Sequence, residues 1–237
     1  ITKLKMGVVL GYPNLEYIIM DGGSTDNTKA VLEKYAPWIS YWQSEKDNGQ
    51  GHAINQGFSL GSGDYFAWIN SDDYYLKDAL FTVANTAINK KPDFIYGYSF
   101  NYKVADESFE LQKISVLMDY FIRIPSLAQP SCFWNAAIHQ PIWESLCCSL
   151  DYELWLRMVP GQSRKLIKQP LAVAVTHPGA KTSDPKMGEA WARDHELICD
   201  DDAHGPVYNW ETLILLNKIY IAINALFQKK PGADKSF

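Results

Sequence analysis

The sequence predicts an α/β fold, with a mostly parallel, Rossmann-like sheet flanked by helices and a helical tail at the C-terminal end. Short apolar runs alternate with helical patterns along the first half of the chain, in the order βαβαβ. That order is typical of parallel sheets with helices on their faces. The chain has 237 residues, 47% of them hydrophobic and 21% charged, so it is long and apolar enough to bury a sizeable core.

The first strand is predicted at residues 15–20 and runs into a glycine turn at 21–26, where Thr25 or Asp26 is placed to cap a helix at 27–35. Further strands are predicted at 39–43, 65–69 and 93–100. Further helices are predicted at 51–60, 78–89, 114–121 and 150–158, with a loop at 176–187. We expect one domain over 1–205, with a nucleotide-sugar half at about 1–100 and an acceptor half at about 101–205.

The tail at 206–237 contains a predicted helix at 210–227 with apolar residues at helical spacing. The members of this stripe are Leu213, Leu216, Ile219, Tyr220, Ile223 and Phe227. Such a stripe is typical of a helix that packs on its own domain, and also of a helix that lies on a membrane surface. Both interpretations stay open for the sequence.

Charge and cysteine content narrow the function classes. A net charge of −5 and a pI near 5.5 argue against a nucleic acid partner, because nucleic-acid-binding domains are usually basic. The four cysteines lack the spacing of a zinc site, and we interpret them as reduced, mostly buried thiols. Together with the lack of a signal peptide pattern or a membrane-spanning run, this favours the cytoplasm.

Two acidic segments follow predicted strands. Asp21 ends the first strand, and Asn70-Ser-Asp-Asp73 follows the third. Ligands of parallel α/β sheets bind beyond the carboxyl ends of the strands, so we expect both segments at one crevice. The adjacent carboxylates of Asp72 and Asp73 would repel each other unless a divalent cation bound there, although they also suit a simple helix cap.

The turn at 21–26 lets backbone approach a ligand closely, and Asp21 can accept a hydrogen bond from a nucleobase or ribose. The glycines alone are equally consistent with a left-handed turn that precedes a helix cap. The turn lacks the GxGxxG and GxxxxGK[ST] patterns, which excludes the dinucleotide and P-loop interpretations.

These segments belong to a longer series that resembles family 2 glycosyltransferases over about residues 12–185. The matching blocks, in family order, are Tyr12 to Thr28, Ser44 to Gly57, Gly61 to Asp64, Trp68 to Tyr75, Gln129 to Trp134, Asp151 to Arg157, and His177 to Ser183. The resemblance implies the GT-A fold and inversion at the anomeric carbon of the transferred sugar. The family's first strand and helix would lie before Tyr12, where this sequence has eleven residues.

The resemblance also implies roles for individual residues. Asp21 would contact the base, with Gly22 and Ser24 in the same turn. Asp47 and Asn55 would line the nucleotide-sugar pocket, and Trp68 and Asn70 belong to the donor-binding segments. Asp72 and Asp73 match the metal-binding DxD region, in which Asn70 stands at the first position. Which of the two aspartates binds the metal directly stays open. His177 would ligate the metal or donate to phosphate, and Lys181 would offset charge on the diphosphate.

Asp151 matches the catalytic base of the family. Its predicted place at a helix N-terminus would help to keep it ionised, although an aspartate there is also consistent with a simple helix cap. The implied reaction transfers a sugar from a nucleotide sugar, with UDP as the commonest family choice, to a glycan or lipid-linked saccharide hydroxyl, assisted by Mg²⁺ or Mn²⁺.

Two other function classes remain alternatives. One is a catalytically silent module of the same fold that binds nucleotide sugars or glycans, against which the intact Asp151, Asp72 and Asp73 count. The other is a nucleotidyltransferase, which would normally need a basic or glycine-rich triphosphate loop that the sequence lacks.

Lipid-linked acceptors would place the protein at the inner face of the membrane, with contact through residues 210–230.

Overall fold

The computed structural model describes residues 11–114, 123, 126–181, 184–201 and 208–227. The helices are α1 (Thr28–Tyr35), α2 (Gln50–Leu60), α3 (Ala79–Lys90), α4 (Leu150–Met158), α5 (Gly188–Cys199) and α6 (Trp210–Phe227). The strands are β1 (Ile18–Asp21), β2 (Tyr41–Ser44), β3 (Tyr65–Phe66), β4 (Tyr74–Tyr75), β5 (Phe94–Lys103), β6 (Ser108–Gln112), β7 (Cys132–Asn135) and β8 (Arg164–Thr176). The predicted helix at 114–121 lies outside the described residues except for its first position, and so do residues 1–10.

The strands form two sheets with helices packed against them, so the predicted α/β class is confirmed. β1 pairs with β2 in parallel, and the larger sheet has the order β3-β7-β5-β8-β4, with β6 added beside β5. Among the described strands, the larger sheet is parallel at β5–β8 and antiparallel at its other pairs. The expectation of a mostly parallel sheet is therefore wrong for these strands. A tight turn at residues 104–107 joins β5 to β6, and so short a connection permits antiparallel pairing alone.

The central strand β5 divides the core into two clusters because successive side chains of a strand point to opposite faces. Phe94 and Tyr96 face a cluster that contains Trp155 of α4, whereas Ile95 faces a cluster that contains Leu80 of α3. Phe94 and Ile95 are fully buried. Helix α4 is thereby fixed on one face of the sheet, which matters below because its first turn carries Asp151.

The tail helix α6 packs on the domain through part of its predicted stripe. Leu213 and Tyr220 are buried, and Leu216 packs against the same cluster as Trp155. Ile219, also in the stripe, is 43% exposed. A second apolar face is exposed to solvent, and its large side chains are Ile214, Leu215, Ile221 and Leu226. None of the helices in the described ranges is long and apolar enough to cross a membrane.

All four cysteines carry free thiols, as predicted, but the expectation that most of them are buried is wrong. Cys147 and Cys148 are partly exposed, and Cys199 is exposed. Cys132 is buried in β7, and burial raises the pKa of its thiol well above the ordinary value. A buried thiol with a raised pKa behaves as a small hydrophobic side chain.

Candidate active site

A continuous cleft runs along β1 and along the loop that follows β3, and it reaches the first turn of α4. Eight of the twelve predicted site residues line it. These residues are Asp47, Trp68, Asn70, Asp72, Asp73, Asp151, His177 and Lys181. Chain segments more than 100 residues apart in sequence therefore line the same cleft, as expected for a ligand site.

Three indole rings lie beneath the cleft. Trp68 stacks on Trp155 of α4, with ring centroids 5.7 Å apart and an interplanar angle of 16°. Trp134 of β7 meets both rings edge-on at 5.8 Å and 5.4 Å. Because Trp68 precedes the acidic loop by a few residues and Trp155 follows Asp151 by four, this cluster fixes the distance between the loop and α4.

Asp21 lies at the end of β1 and organises the turn that follows. Its carboxylate accepts hydrogen bonds from the Ser24 backbone N–H at 2.9 Å and from the Ser44 hydroxyl at 2.7 Å. Partial burial opposes ionisation of Asp21, but the hydrogen bonds from Ser24 and Ser44 outweigh it, so the pKa of Asp21 is below its ordinary value. This side chain is an ionised acceptor.

Asp21, Gly22 and Ser24 stand beside the cleft wall rather than on it, next to Asp47. A Cβ at Gly22 would lie 2.7 Å from Asp47 Oδ2, closer than non-bonded atoms allow. Asp47 in turn accepts a hydrogen bond from the Gly49 N–H at 2.8 Å. The absence of a side chain at Gly22 thus leaves room for the Asp47 carboxylate, which lies between this turn and the cleft.

The adjacent carboxylates of the acidic loop have different environments. Asp73 is 8% exposed, and its Oδ1 accepts a hydrogen bond from the Val175 N–H of β8 at 2.9 Å. Its Oδ2 lies 3.3 Å from the side-chain amide of Asn70. Asp73 is therefore held by the protein and fastens the acidic loop to β8.

Asp72 points outward instead, and its Oδ2 lies 3.3 Å from Nε2 of His177. Each of these two side chains is 35% exposed. The Nδ1 atom of His177 accepts a hydrogen bond from the Gly179 N–H at 3.1 Å, which orients the ring with Nε2 toward Asp72. Within the described ranges, no cluster of three or more His, Cys, Asp or Glu side chains is arranged to hold a metal ion.

A chain of hydrogen bonds crosses the cleft from the 177–181 loop to the acidic loop. Lys181 Nζ donates to Gln50 Oε1 at 3.0 Å, and Gln50 Nε2 donates to Asn70 Oδ1 at 3.0 Å. Lys181 Nζ also donates to the carbonyl oxygen of Cys147 at 2.7 Å. The ammonium group of Lys181 therefore sits between α2 and the segment that precedes α4.

Asp151 lies in the first turn of α4 and reaches the cleft. Burial raises the pKa of its carboxyl group, and the backbone N–H groups of Tyr152 and Asp151 offset this only in part. The expectation that the helix N-terminus keeps Asp151 ionised thus underestimates desolvation, which favours the neutral form. A carboxylate with a raised pKa binds a proton more readily than an ordinary one.

Asn55 does not line the cleft in this structure. Its side-chain amide donates to the carbonyl oxygen of Ile142 at 2.9 Å and accepts from the Ile142 N–H at 2.8 Å. Both polar atoms of the side chain are therefore used to fasten α2 to the loop that follows β7. The sequence shows the family block around Asn55, but it does not predict a contact with Ile142, which lies 87 positions away.

Three further residues of the cleft carried no individual prediction. Gln50 and Gln129 each bond to Asn70, and Gln129 Nε2 also donates to the Trp68 carbonyl at 2.7 Å. Trp191 enters the cleft from α5. Both glutamines lie in blocks that match the family, so the sequence offered a signal for them. Trp191 lies outside those blocks, and the sequence offered no signal for it.

Comparison with known proteins agrees with this geometry. Residues 3–143, more than half of the chain, match the family model described as Glycosyl transferase family 2. An uncharacterised glycosyltransferase of Rickettsia prowazekii is 28% identical over 247 residues, covering 95% of this chain and 74% of that protein. Another, of Rickettsia typhi, is 27% identical over 164 residues, covering 62% of this chain and 50% of that protein. The chain thus spans about half the length of the Rickettsia typhi relative.

Among solved structures, the chain is similar to S. aureus TarS 1–349 in complex with UDP. The TM-score is 0.65 at 16% sequence identity, and the match covers 98% of this chain and 70% of that one. The TarS complex with UDP-GlcNAc matches with a TM-score of 0.64 at 15% identity, covering 98% of this chain and 71% of that one. These likenesses confirm the predicted GT-A fold. On the family match over more than half of its length, the chain belongs to glycosyl transferase family 2.

Proposed function

We propose that the chain is an inverting glycosyltransferase that moves a sugar from a nucleoside diphosphate sugar to a hydroxyl group of a glycan or lipid-linked saccharide. The observation that carries the proposal is that Asp151, Asp72 and His177 line one cleft. Transfer needs a base for the attacking hydroxyl and a separate set of groups where the diphosphate departs. Family membership supports the reaction class.

A UDP-linked donor is supported by the fold's likeness to TarS, whose crystal structures include complexes with UDP and UDP-GlcNAc. In this proposal Asp21, whose two oxygens are bonded to Ser24 and Ser44, organises the turn beside the cleft, and the backbone at Gly22 and Ser24 approaches the nucleoside. Asp47 and Trp68 line the donor side of the cleft, and Lys181 pairs with the diphosphate. Residues 1–100 then form the donor half, and residues 101–205 form the acceptor half.

Asp72 and His177 are the residues that would hold a divalent cation. Their facing atoms, a carboxylate oxygen and an imidazole nitrogen, are ligand types that suit Mn²⁺, and both side chains are partly exposed toward the cleft. Nε2 of His177 could ligate only with the ring proton on Nδ1, so the bond from the Gly179 N–H would be released on binding. Asp73 is a poorer candidate for direct ligation because both of its oxygens face hydrogen-bond donors of the protein. Two protein ligands fit an ion whose other ligands are diphosphate and water oxygens. The bound ion would stabilise negative charge on the departing diphosphate.

In the proposed displacement, an acceptor hydroxyl attacks the anomeric carbon from the face opposite to the diphosphate. A new C–O bond forms as the bond from the anomeric carbon to the diphosphate breaks, and the bonding electron pair leaves with the diphosphate. Asp151 accepts the hydroxyl proton in the same step, which a carboxylate of raised pKa is suited to do. Single displacement inverts the anomeric configuration.

The proposed acceptors and the exposed face of α6 together suggest peripheral contact with the inner face of the membrane. Ile214, Leu215, Ile221 and Leu226 are between 41% and 84% exposed, and Lys218 is exposed on the same helix. Large aliphatic side chains beside a cation are typical of interfacial helices. A role in polysaccharide biosynthesis at the cytoplasmic side follows from this assignment.

Asp151→Asn is expected to lower turnover by about 10²–10⁴-fold, the loss typical of removing a general base. Affinity for UDP should change less than about twofold, because asparagine keeps the shape and removes only the proton acceptor. Turnover is measured as release of nucleoside diphosphate, and affinity by calorimetry. Retention of more than half of the wild-type turnover would remove Asp151 from the mechanism.

The turnover of the wild-type protein should fall as the pH is lowered through the raised pKa of Asp151, because only the ionised form accepts a proton. We expect the midpoint of this acid limb above pH of about 4, the ordinary value for aspartate. The Asp151→Asn protein should lack the limb. A midpoint at or below the ordinary value, or the same limb in the variant, would contradict the assignment.

Asp72→Asn and His177→Ala should each weaken Mn²⁺-dependent UDP binding by about 10–100-fold and leave binding in EDTA unchanged. Asp73→Asn should lower the melting temperature more than it lowers Mn²⁺-dependent affinity, because it disturbs the bond to Val175. Calorimetry with and without Mn²⁺ distinguishes these effects. Unchanged Mn²⁺-dependent affinity in Asp72→Asn would show that the metal ligand lies elsewhere.

The protein should float with anionic liposomes, and added salt should weaken the binding by screening Lys218. The double variant Leu215→Gln/Leu226→Gln should remain at the bottom of the gradient. Ile88→Gln is the matched control, because Ile88 is a 69% exposed aliphatic residue on α3. Equal flotation of all three proteins, or none, would exclude membrane contact through α6.

A further inference from the structure

Asp194 is a fully buried carboxylate on α5 that the proposed reaction does not use. Its oxygens accept hydrogen bonds from three consecutive backbone N–H groups. These bonds come from Cys147 at 2.9 Å, Cys148 at 2.6 Å and Ser149 at 3.0 Å. The three donors directly precede α4, whose second residue is Asp151.

The arrangement fixes the chain just before α4 and does not cap the helix itself. A capping side chain on the N-cap residue accepts from N–H groups inside the first turn. Ser149 occupies the N-cap position of α4 but makes no such bond. Asp194, on another helix 45 residues further along the chain, instead binds the N–H groups of the N-cap residue and of the two residues before it. A charged acceptor forms stronger bonds than a neutral one.

The remainder of α4 is held by other contacts. Leu154, Trp155 and Met158 are buried in the core, and Glu153 pairs with Arg157 within the helix. Loss of the Asp194 bonds should therefore loosen the segment at 147–149 and the first turn, while the later turns stay in place. Asp151 is the cleft residue in that first turn.

We propose that Asp194 is a positioning residue that sets the orientation of Asp151 by holding the segment at 147–149. The inference rests on the proposed role of Asp151 as the base. Displacement of a reacting group by about 1 Å costs on the order of 10²-fold in rate. Asp194 thus affects the rate of proton removal without contacting the donor or the acceptor.

The test is a double-mutant cycle between Asp194→Asn and Asp151→Asn. Asparagine matches the shape of aspartate but places an NH₂ group against the three N–H donors. Turnover is measured as nucleoside diphosphate release from whichever of the UDP-, GDP- and dTDP-sugars the wild-type protein hydrolyses fastest. Rates are normalised to the fraction of protein that binds the nucleoside diphosphate, so that unfolded protein does not count.

Asp194→Asn should lower kcat by about 10–100-fold. The KM for the donor should change less, because Lys181, which donates to the Cys147 carbonyl, is also held by Gln50. The double variant should be no slower than Asp151→Asn alone, because a residue that acts through Asp151 has nothing left to position.

Asp93→Asn is the matched control. The Asp93 carboxylate likewise accepts from a backbone N–H, that of Ser163, but it holds the turn before β8 and not the segment at 147–149. Any rate loss from Asp93→Asn should multiply with that of Asp151→Asn.

The inference would be overturned if Asp194→Asn kept the wild-type kcat. It would also be overturned if Asp194→Asn lowered the rate equally in the wild-type protein and in Asp151→Asn. Either result would leave the base assignment intact. Full turnover in Asp151→Asn would instead overturn the base assignment, and this inference with it. If Asp194→Asn fails to fold, Asp194→Glu enters the same cycle, because it keeps the charge and displaces it by one methylene. It should show the same loss of effect in the Asp151→Asn background.

Discussion

The stacking of Trp68 on Trp155 is the interaction on which the site depends. Trp68 leads into the acidic loop and Trp155 belongs to α4, so the contact joins the segment that carries Asp72 to the helix that carries Asp151. Trp134 of β7 packs against both rings and places the pair on the central sheet. Asp72, proposed to act at the departing diphosphate, and Asp151, proposed to act at the attacking hydroxyl, are thus both held by the same tryptophan cluster on the central sheet.

The carboxylates in and beside the cleft have different surroundings. Asp72 and Asp73 are consecutive, yet one faces His177 across the cleft and the other is bound to β8. Asp21 and Asp151 differ in the same way, because serine donors favour the ionised form of one and burial favours the neutral form of the other. Under the proposed mechanism, these similar side chains have separate roles in structure, metal binding, donor binding and proton transfer.

The sequence predicted the local elements of the first hundred residues, because periodicity and turn chemistry act over a few residues. Strands β4, β6, β7 and β8 and helix α5 carried no prediction. The helix at 150–158 is observed with the same bounds, and the turn after β1 brings Asp21 beside the cleft. Long-range pairing could not be deduced in this way. The amide of Asn55 is bound to Ile142, and Asp194 reaches the start of α4 from α5, since both contacts depend on how distant elements pack. The antiparallel pairing of the later strands escaped prediction for the same reason.

The most direct test of the central claim is a hydrolysis screen of UDP-, GDP- and dTDP-sugars with Mg²⁺ or Mn²⁺, in which the anomer of the released sugar is followed by NMR. We expect metal-dependent release of nucleoside diphosphate from a UDP-sugar, with the sugar appearing first in the inverted configuration. Release with retained configuration would contradict single displacement with Asp151 as the base. If the protein neither hydrolyses nor binds any donor, the alternative that remains is a catalytically silent module of the same fold that binds glycans.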